Sequence, residues 1–321
     1  MVKFTKQPVM RRVLLALAPI WLFSVWLYGI RSIAAAAVTF ALGILAEWLF
    51  ERRRSGKVSE AVLVTCALYS MALPPRTPLW IVAVGILFAV VMAKEVYGGF
   101  GRNIFNPAIA GRLFVYIAFA TVLNQGYTGW GAFGTSAADV VASATPLAAM
   151  RLHPEAPVDL VSLLVGTRPG AVGESPTVLI ALAAVYLVVT KTASWRIIVS
   201  ELVAGAALTA ALWFGGVKGA LPMASLLAGS YLFVAVFMAT DPVSAPKKPL
   251  SQLIYGAFIA ACVVSIRTFS AFPEGTSFGI LLGNTFASFI DEVVTRAGAK
   301  KASAAAVASA EAAGPAKEAG K

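Results

Sequence analysis

The segment from Gly98 to Pro107, Gly-Gly-Phe-Gly-Arg-Asn-Ile-Phe-Asn-Pro, combines residue types that can line a buried site. Its glycines, Gly101 among them, permit close backbone approach and positive φ angles. Asn103 and Asn106 carry amides that can satisfy freed backbone groups or contact a ligand. A phosphate-binding loop is excluded because no strand precedes the segment. Two interpretations stay open: a tight re-entrant turn, or the lining of a path for a ligand or ion.

A set of carboxylates lies in or beside apolar stretches, where a charge is costly and usually functional. The set consists of Glu47, Glu60, Glu201, Asp241, Asp291 and Glu292. Most of them lie near the ends of these stretches, where they can reach water, and that is the alternative interpretation. We take Glu201, Asp241 and Asp291 as candidates for a cation path.

The segment Asp139-Val-Val-Ala-Ser-Ala-Thr-Pro-Leu147 is the most specific feature of the chain. Thr145 followed by Pro146 is typical of a helix start, with threonine as the N-cap and proline in the first turn. From the residues alone, the segment is explained as a turn that leads into a helix.

Residue counts limit the remaining chemistry. His153 is the single histidine, so a multi-histidine metal site is excluded and we expect no bound metal. Cys66 and Cys262 both lie in apolar runs and are expected to be buried free thiols. Two cysteines cannot form a disulfide framework. We assign no residue a stand-alone catalytic role.

The elements that position these residues follow from composition. Of 321 residues, 59% are hydrophobic and 13% are charged, and the mean hydropathy is +0.81. Soluble proteins carry about 25% charged residues. A disordered chain, a fibrous repeat and an ordinary cytosolic enzyme are therefore excluded. We predict an all-α polytopic membrane protein.

Ten apolar segments account for most of the chain. They cover roughly residues 13–30, 33–50, 60–73, 79–94, 107–123, 176–190, 196–214, 223–240, 250–267 and 278–294. The third runs into Pro74-Pro75 and the eighth into Asp241-Pro242. Proline lacks the backbone donor and clashes with the preceding turn, so both helices are predicted to stop or break there.

The distribution of basic residues predicts the orientation. With the N-terminus in the cytoplasm, 20 of the 26 lysines and arginines fall in cytoplasmic regions. This 20:6 split places both termini inside, because positive charge concentrates on the cytoplasmic side. It also explains the net charge of +11 by anionic lipid and not by nucleic acid.

Four parts make up the predicted organisation. Residues 1–123 and 176–297 each hold five spans, and residues 124–175 form a long external loop rich in Gly, Ser, Thr and Pro. A loop of this length is usually functional or disordered. Residues 298–321 are mostly Ala, Lys, Glu and Gly without an apolar face, and we predict a disordered cytoplasmic tail.

The two halves show related features in the same order. Met71-Ala-Leu-Pro-Pro75 ends the third segment as Met238-Ala-Thr-Asp-Pro242 ends the eighth. Pro-Leu opens the fourth and the ninth segments. Because each half has five spans, the second half must enter the membrane from the opposite side. This predicts an inverted repeat with broken helices, as in many transporters.

The chain also resembles a known family. The segment at Thr145 is similar to the D-x-x-[ST]-G-A-T signature at which a flavin transferase esterifies the phosphate of FMN to a threonine hydroxyl. Together with Gly98–Pro107, Met238–Pro242 and the ten-span outline, it resembles RnfD, a membrane component of the Rnf ferredoxin:NAD⁺ oxidoreductase. The close relative is NqrB, a membrane component of the Na⁺-translocating NADH:quinone oxidoreductase. The resemblance covers roughly residues 10–295, and the short stretch before the first span favours RnfD.

The resemblance implies a covalent FMN on Thr145. Asp139, Ala144 and Thr145 match the signature, whereas Ala142 and Ser143 replace its hydroxyl residue and its glycine. A small residue at position 143 still permits close approach to the transferase. The loss of the hydroxyl at position 142 removes one hydrogen-bonding group.

The implied function is that of an integral component of a redox-driven ion pump in the bacterial inner membrane. It would pass electrons between neighbouring subunits and contribute to Na⁺ or H⁺ translocation. A second, non-covalent flavin such as riboflavin is also implied. The implied partners are other membrane and peripheral subunits, including flavin-bearing and iron–sulfur subunits, and a flavin transferase for maturation.

Two other functions fit a broken-helix membrane protein. One is a solute channel or facilitator of urea-transporter-like architecture without flavin. The other is a structural membrane anchor without a cofactor. The segment at Thr145 discriminates among them, since neither alternative needs a flavin attachment signature.

Overall fold

Helices dominate the computed structural model, which describes residues 3–129, 144–270, 272 and 275–312. The first half contains α1 (Pro8–Tyr28), α2 (Arg31–Arg54), α3 (Ala61–Met71), α4 (Leu79–Val90) with a π-helical turn (Val91–Glu95), α5 (Pro107–Ala118) and α6 (Ala120–Asn124). The short helices α7 (Pro146–Leu152) and α8 (Leu160–Val165) follow. The second half contains α9 (Thr177–Val189), α10 (Trp195–Phe214), a 3₁₀ turn (Met223–Leu226), α11 (Tyr231–Phe237), α12 (Pro249–Phe269) and α13 (Thr276–Ala312).

The predicted class is confirmed by the length and composition of these helices. Among the described residues, α1, α2, α10, α12 and α13 are long and apolar enough to cross a bilayer, which takes about 20 residues. Shorter apolar helices occupy the other predicted segments, so each of the ten contains a helix. Two-residue strands, β1 (Phe4–Thr5) and β2 (Val58–Ser59), pair in parallel and fasten the N-terminal segment beside α3.

Both predicted helix breaks are present. Helix α3 ends at Met71, before Pro74-Pro75, and α11 ends at Phe237, before Asp241-Pro242. Helix α11 is shorter than its apolar segment because an irregular stretch, which includes Gly229 with φ of 68°, separates it from the 3₁₀ turn. Neither α3 nor α11 has the length of a full membrane span.

The same helix contacts recur in both halves. Helix α2 packs on α3 and α4, and α4 packs on α5; α10 packs on α11 and α12, and α12 packs on α13. Glycines allow two equivalent close approaches: a Cβ at Gly43 would overlap the Cys66 sulfur, and one at Gly205 would overlap the Tyr231 hydroxyl. Across the halves, α1 contacts α9 and α5 contacts α13. This order of contacts is what a structural repeat requires.

Three buried arginines hold the irregular stretch before α11. Arg267 and Arg168 donate to backbone carbonyls of residues 225–228, with shortest distances of 2.8 Å each. Arg112 donates to the Ser230 hydroxyl at 2.9 Å. From the sequence, Arg112 is predicted in a cytoplasmic region, and Arg168 and Arg267 are predicted in external regions. They are instead buried, because carbonyls freed from a helix at membrane depth need donors from the protein.

The C-terminal tail differs from the prediction. Helix α13 runs without interruption from Thr276 to Ala312, so residues 298–312 are helical and not disordered. The reason is intrinsic propensity: alanine, lysine and glutamate are strong helix formers, and the tail continues a helix that is already nucleated. Residues 313–321 lie outside the described residues.

Candidate functional site

A small pocket, mostly apolar but with several polar side chains, lies where the two halves meet. It is lined by Met10, Val13, Thr65, Lys94, Phe100, Asn103, Asn106, Thr240, Asp241 and neighbouring residues. The Asn106 side chain donates to the Met238 carbonyl at 3.5 Å, and its backbone N–H donates to Asn284 Oδ1 at 3.0 Å. The Gly98–Pro107 segment therefore meets the break after α11 through Asn106.

The size of this pocket restricts its occupant. Its volume is about 60 Å³. A single water needs roughly 10–15 Å³, whereas pockets for organic ligands span about 300–1,000 Å³. The pocket therefore suits a few waters or a partly hydrated cation and is too small for a flavin.

The Gly98–Pro107 segment is buried only in part. Asn103 and Asn106 are buried, while Phe100, Gly101 and Arg102 are exposed. Gly101 has φ of 85° and does not line the pocket. A glycine is required at position 101 because the backbone there is in the left-handed region. Asn103 and Asn106 make the contacts with the core.

Asn106 organises the start of α5. Its Oδ1 accepts hydrogen bonds from Ala108 N at 3.0 Å and Ile109 N at 3.4 Å, an N-cap that satisfies two helix donors. Asn284 Nδ2 in turn donates to the Tyr255 hydroxyl at 2.8 Å. A chain of hydrogen bonds thus joins the re-entrant segment to α13 and α12.

A buried ion pair stands beside the pocket. Lys94 Nζ lies 2.5 Å from Glu47 Oε2 and donates to Ser59 Oγ at 2.9 Å. Glu47 Oε1 accepts from Ser59 N at 2.8 Å. The side chains of Lys94 and Glu47 are only 2% and 1% exposed. The pair therefore lies in a setting of low dielectric, where charges must be matched.

The π-helical turn after α4 brings a second charge inside. Glu95, next to Lys94, is fully buried and pairs with Arg54 of α2 at 3.0 Å. Turns of this type occur frequently at functional sites. From the sequence, Lys94 is predicted in a cytoplasmic loop, and Glu95 is not among the candidate carboxylates. The detectable signal was an adjacent Lys-Glu pair at the end of an apolar run.

Glu201 is the most isolated carboxylate. It is fully buried in α10, and neither of its carboxylate oxygens has a hydrogen-bond partner among the described residues. Its backbone carbonyl accepts from the Tyr231 hydroxyl at 2.6 Å. A carboxylate in such surroundings carries a proton or holds a cation, because an unpaired buried charge is too costly. Glu201 does not line the pocket between the two halves.

The other two acidic candidates have partners. Asp241 lines the pocket and accepts from Val243 N at 3.2 Å and the Ser244 hydroxyl at 2.9 Å. Asp291 accepts from the backbone N–H groups of Lys247 at 2.9 Å and Lys248 at 3.3 Å. These bonds to Asp291 fasten the residues that lead into α12. Of the three candidates, Asp241 alone faces the pocket.

Thr145 occupies the predicted helix start. It is the N-cap of α7, and its side-chain oxygen accepts from Ala148 N at 3.3 Å. Pro146 follows in the first turn, and Thr145 is half-buried next to an exposed Ala144. Asp139 and Ser143 lie outside the described residues.

Neutralising one member of the Lys94–Glu47 pair leaves the other charge buried and uncompensated. We expect Glu47→Gln and Lys94→Met each to lower the free energy of unfolding by about 3–5 kcal/mol. The double variant should recover most of this loss. Thermal unfolding of the purified chain in detergent measures the effect. Glu292→Gln, which breaks an exposed pair with Arg296, is the control and should cost about 0–1 kcal/mol. Single variants as stable as the wild type would contradict the assignment.

Comparison with known proteins gives the family. The model of the NQR2, RnfD, RnfE family matches residues 3–300. A B subunit of the Na⁺-translocating NADH-quinone reductase, from Chromohalobacter salexigens, is 38% identical over 279 residues, covering 82% of this chain and 65% of the relative. Its counterpart in Azotobacter vinelandii is 37% identical, covering 83% and 67%. The counterpart in Haemophilus influenzae is 36% identical, covering 82% and 66%.

The chain thus spans about two thirds of the length of these relatives. The family match covers both helical halves, the re-entrant segment and the helix that begins at Thr145. The family-level resemblance inferred from the sequence motifs is confirmed, and the choice between RnfD and NqrB stays a prediction. The chain belongs to the NQR2, RnfD, RnfE family.

Proposed function

We propose that this chain is a membrane component of a redox-driven, cation-translocating electron transport complex. The observation that carries the proposal is the pocket between the two halves, with Asn103, Asn106 and Asp241 in its lining, in a chain that matches the family over residues 3–300. Broken helices that meet near the middle of the membrane are typical ion and substrate sites in transporters. The relatives named Na⁺-translocating make Na⁺ the first cation to test.

We propose further that Thr145 carries FMN as a phosphate ester. The site fits this group because the side-chain oxygen serves as a hydrogen-bond acceptor in the N-cap, so esterification removes only its hydrogen. The exposed, small Ala144 leaves room for a transferase. When bound, FMN would supply one-electron transfer, and the chain would orient it.

The proposed cation path runs through the pocket at Asp241, with Glu201 as a second carboxylate within the core. Asp241 presents a carboxylate to a space that fits a partly hydrated cation. Glu201 provides an unpartnered buried carboxylate on α10. Asp291 would act at the end of the path through its hold on the residues before α12. A second, non-covalent flavin would require a site other than this pocket.

We also propose an inner-membrane location with both termini cytoplasmic. The partners would be further membrane and peripheral subunits of an Rnf-type or related complex, including flavin-bearing and iron–sulfur subunits, and a flavin transferase. The assignment to RnfD follows the sequence resemblance. Arg52, Arg53 and Arg54 at the end of α2 support this orientation, because basic residues concentrate on the cytoplasmic side of a membrane.

Thr145→Ala removes the proposed attachment oxygen. We expect the variant to lose covalent flavin, seen as a fluorescent band after denaturing electrophoresis and as the FMN increment in the intact mass. Thr145→Ser keeps a hydroxyl and an N-cap acceptor and serves as the matched control. A fluorescent band that persists in Thr145→Ala would refute the assigned site.

The orientation is tested by labelling. A cysteine introduced at Leu152, which is 73% exposed, should react with a membrane-impermeant reagent on intact cells. A cysteine at Gly56, on the opposite predicted side, is the control and should react only after lysis. The background is a chain in which Cys66 and Cys262 are replaced by alanine. The reverse labelling pattern would invert the proposed topology.

A further inference from the structure

Lys94 and Asp241 are the two charged residues in the described lining of the pocket between the two halves. They come from opposite halves, Lys94 from the π-helical turn after α4 and Asp241 from the break after α11. The two charges interact electrostatically with each other. A cation that enters the pocket therefore meets one attractive charge and one repulsive charge.

The two charges differ in their partners. Lys94 Nζ lies 2.5 Å from Glu47 Oε2, and Glu47 does not line the pocket. Asp241 accepts from Val243 N at 3.2 Å and from the Ser244 hydroxyl at 2.9 Å, and both of these donors are neutral. The lysine charge is thus matched by a carboxylate behind the lining, whereas these two bonds leave the negative charge of Asp241 unbalanced.

The neighbouring charges form a separate group. Glu95, the residue after Lys94, pairs with Arg54 at 3.0 Å. The Arg54 side chain is 42% exposed and also lies 3.8 Å from Glu51, so water and salt screen this outer group. Asp241 therefore gives the pocket one unit of negative charge, which a single monovalent cation would balance.

The Lys94–Glu47 pair maintains this charge balance. If Glu47 were neutral, an unpaired ammonium would remain in the wall of the pocket and compete with the cation for Asp241. If Lys94 were neutral, the Glu47 carboxylate would lose its partner and add a second negative charge beside the pocket. Either change would act strongly on a bound cation, because charges interact more strongly inside a protein than in water.

We propose that Lys94, held by Glu47, sets the affinity of the pocket for its cation by presenting a fixed positive charge opposite Asp241. The proposal rests on the proposed function and adds to it the residue that tunes cation binding. Lys94 acts through its charge and does not coordinate the cation, because an ammonium group has donors only. Its charge keeps binding weak enough for the cation to leave, which conduction requires.

The Na⁺ dependence of electron transfer in the assembled complex in liposomes tests the proposal. Lys94→Met should lower the half-saturating Na⁺ concentration roughly tenfold, and Glu47→Gln should raise it by a similar factor, since each leaves one unpaired charge of opposite sign. The double variant removes both charges and should return the half-saturating concentration to near the wild-type value. Lys57→Met, which removes an exposed lysine outside the pocket, is the control and should not change it.

The opposite directions of the two shifts separate an electrostatic role from a structural one. Both single variants lose the same ion pair. A merely structural pair would therefore lower the maximal rate in both variants, with half-saturating Na⁺ concentrations that are unchanged or shifted in the same direction. Either of these results would overturn the proposal.

An exchange of the two residues covers the case in which a single variant is too unstable to assemble. Glu47→Lys combined with Lys94→Glu keeps both charges and the net charge, but it moves the carboxylate into the wall of the pocket. The half-saturating Na⁺ concentration should then fall roughly threefold or more, and a wild-type value would refute the role of Lys94. A wild-type complex whose electron transfer is independent of Na⁺ would overturn the proposed function itself.

Discussion

A backbone that leaves its helix inside a membrane must find hydrogen-bond partners within the protein, because the hydrocarbon offers none. Helices α3 and α11 are among those that stop short of a full span, and much of the polar chemistry of the core follows from their breaks. Arg168 and Arg267 donate to the carbonyls freed before α11. Asn106 caps α5 and reaches the Met238 carbonyl just after α11.

The same requirement shapes the pocket between the halves. Where the chain breaks before Asp241-Pro242, the Met238 carbonyl accepts a hydrogen bond from Asn106 of the other half, and Asn103 lines the same pocket. The buried Lys94–Glu47 pair lies at the edge of this junction and ties α2 to the end of α4. The pocket contains polar side chains and is lined by both halves. These are the properties that a cation-coupling site needs if the halves are to shift against one another.

The sequence predicted the helices and the breaks because both depend on local signals. Long apolar runs identify spans, and Pro74 and Pro242 end helices for reasons of backbone chemistry. The start of α7 at Thr145 was predictable for the same reason. Buried charge was harder to predict, since whether Lys94 or Arg112 faces lipid headgroups or the core depends on tertiary packing and on the π-helical turn. The prediction of a disordered tail was wrong for residues 298–312, because the helix continues from a folded span.

The segment that leads into α11 lies between the helix that follows Thr145 and the pocket that contains Asp241. The helix that begins at Thr145 packs on residues 221–228, which lead into α11. Helix α11 ends at the pocket that contains Asp241. The segment from residue 221 to α11 thus connects the proposed cofactor region to the proposed cation site through contacts within one chain.

The most direct measurement is the Na⁺ dependence of electron transfer in the assembled complex in liposomes. We predict that Asp241→Asn raises the half-saturating Na⁺ concentration by about tenfold or more, since a lost charged ligand costs at least about 1.4 kcal/mol. Covalent flavin content should be unchanged. Glu292→Gln, which alters an exposed carboxylate outside the pocket, should leave both quantities unchanged. An Asp241→Asn complex with wild-type Na⁺ dependence would contradict the assignment of Asp241 to the cation site.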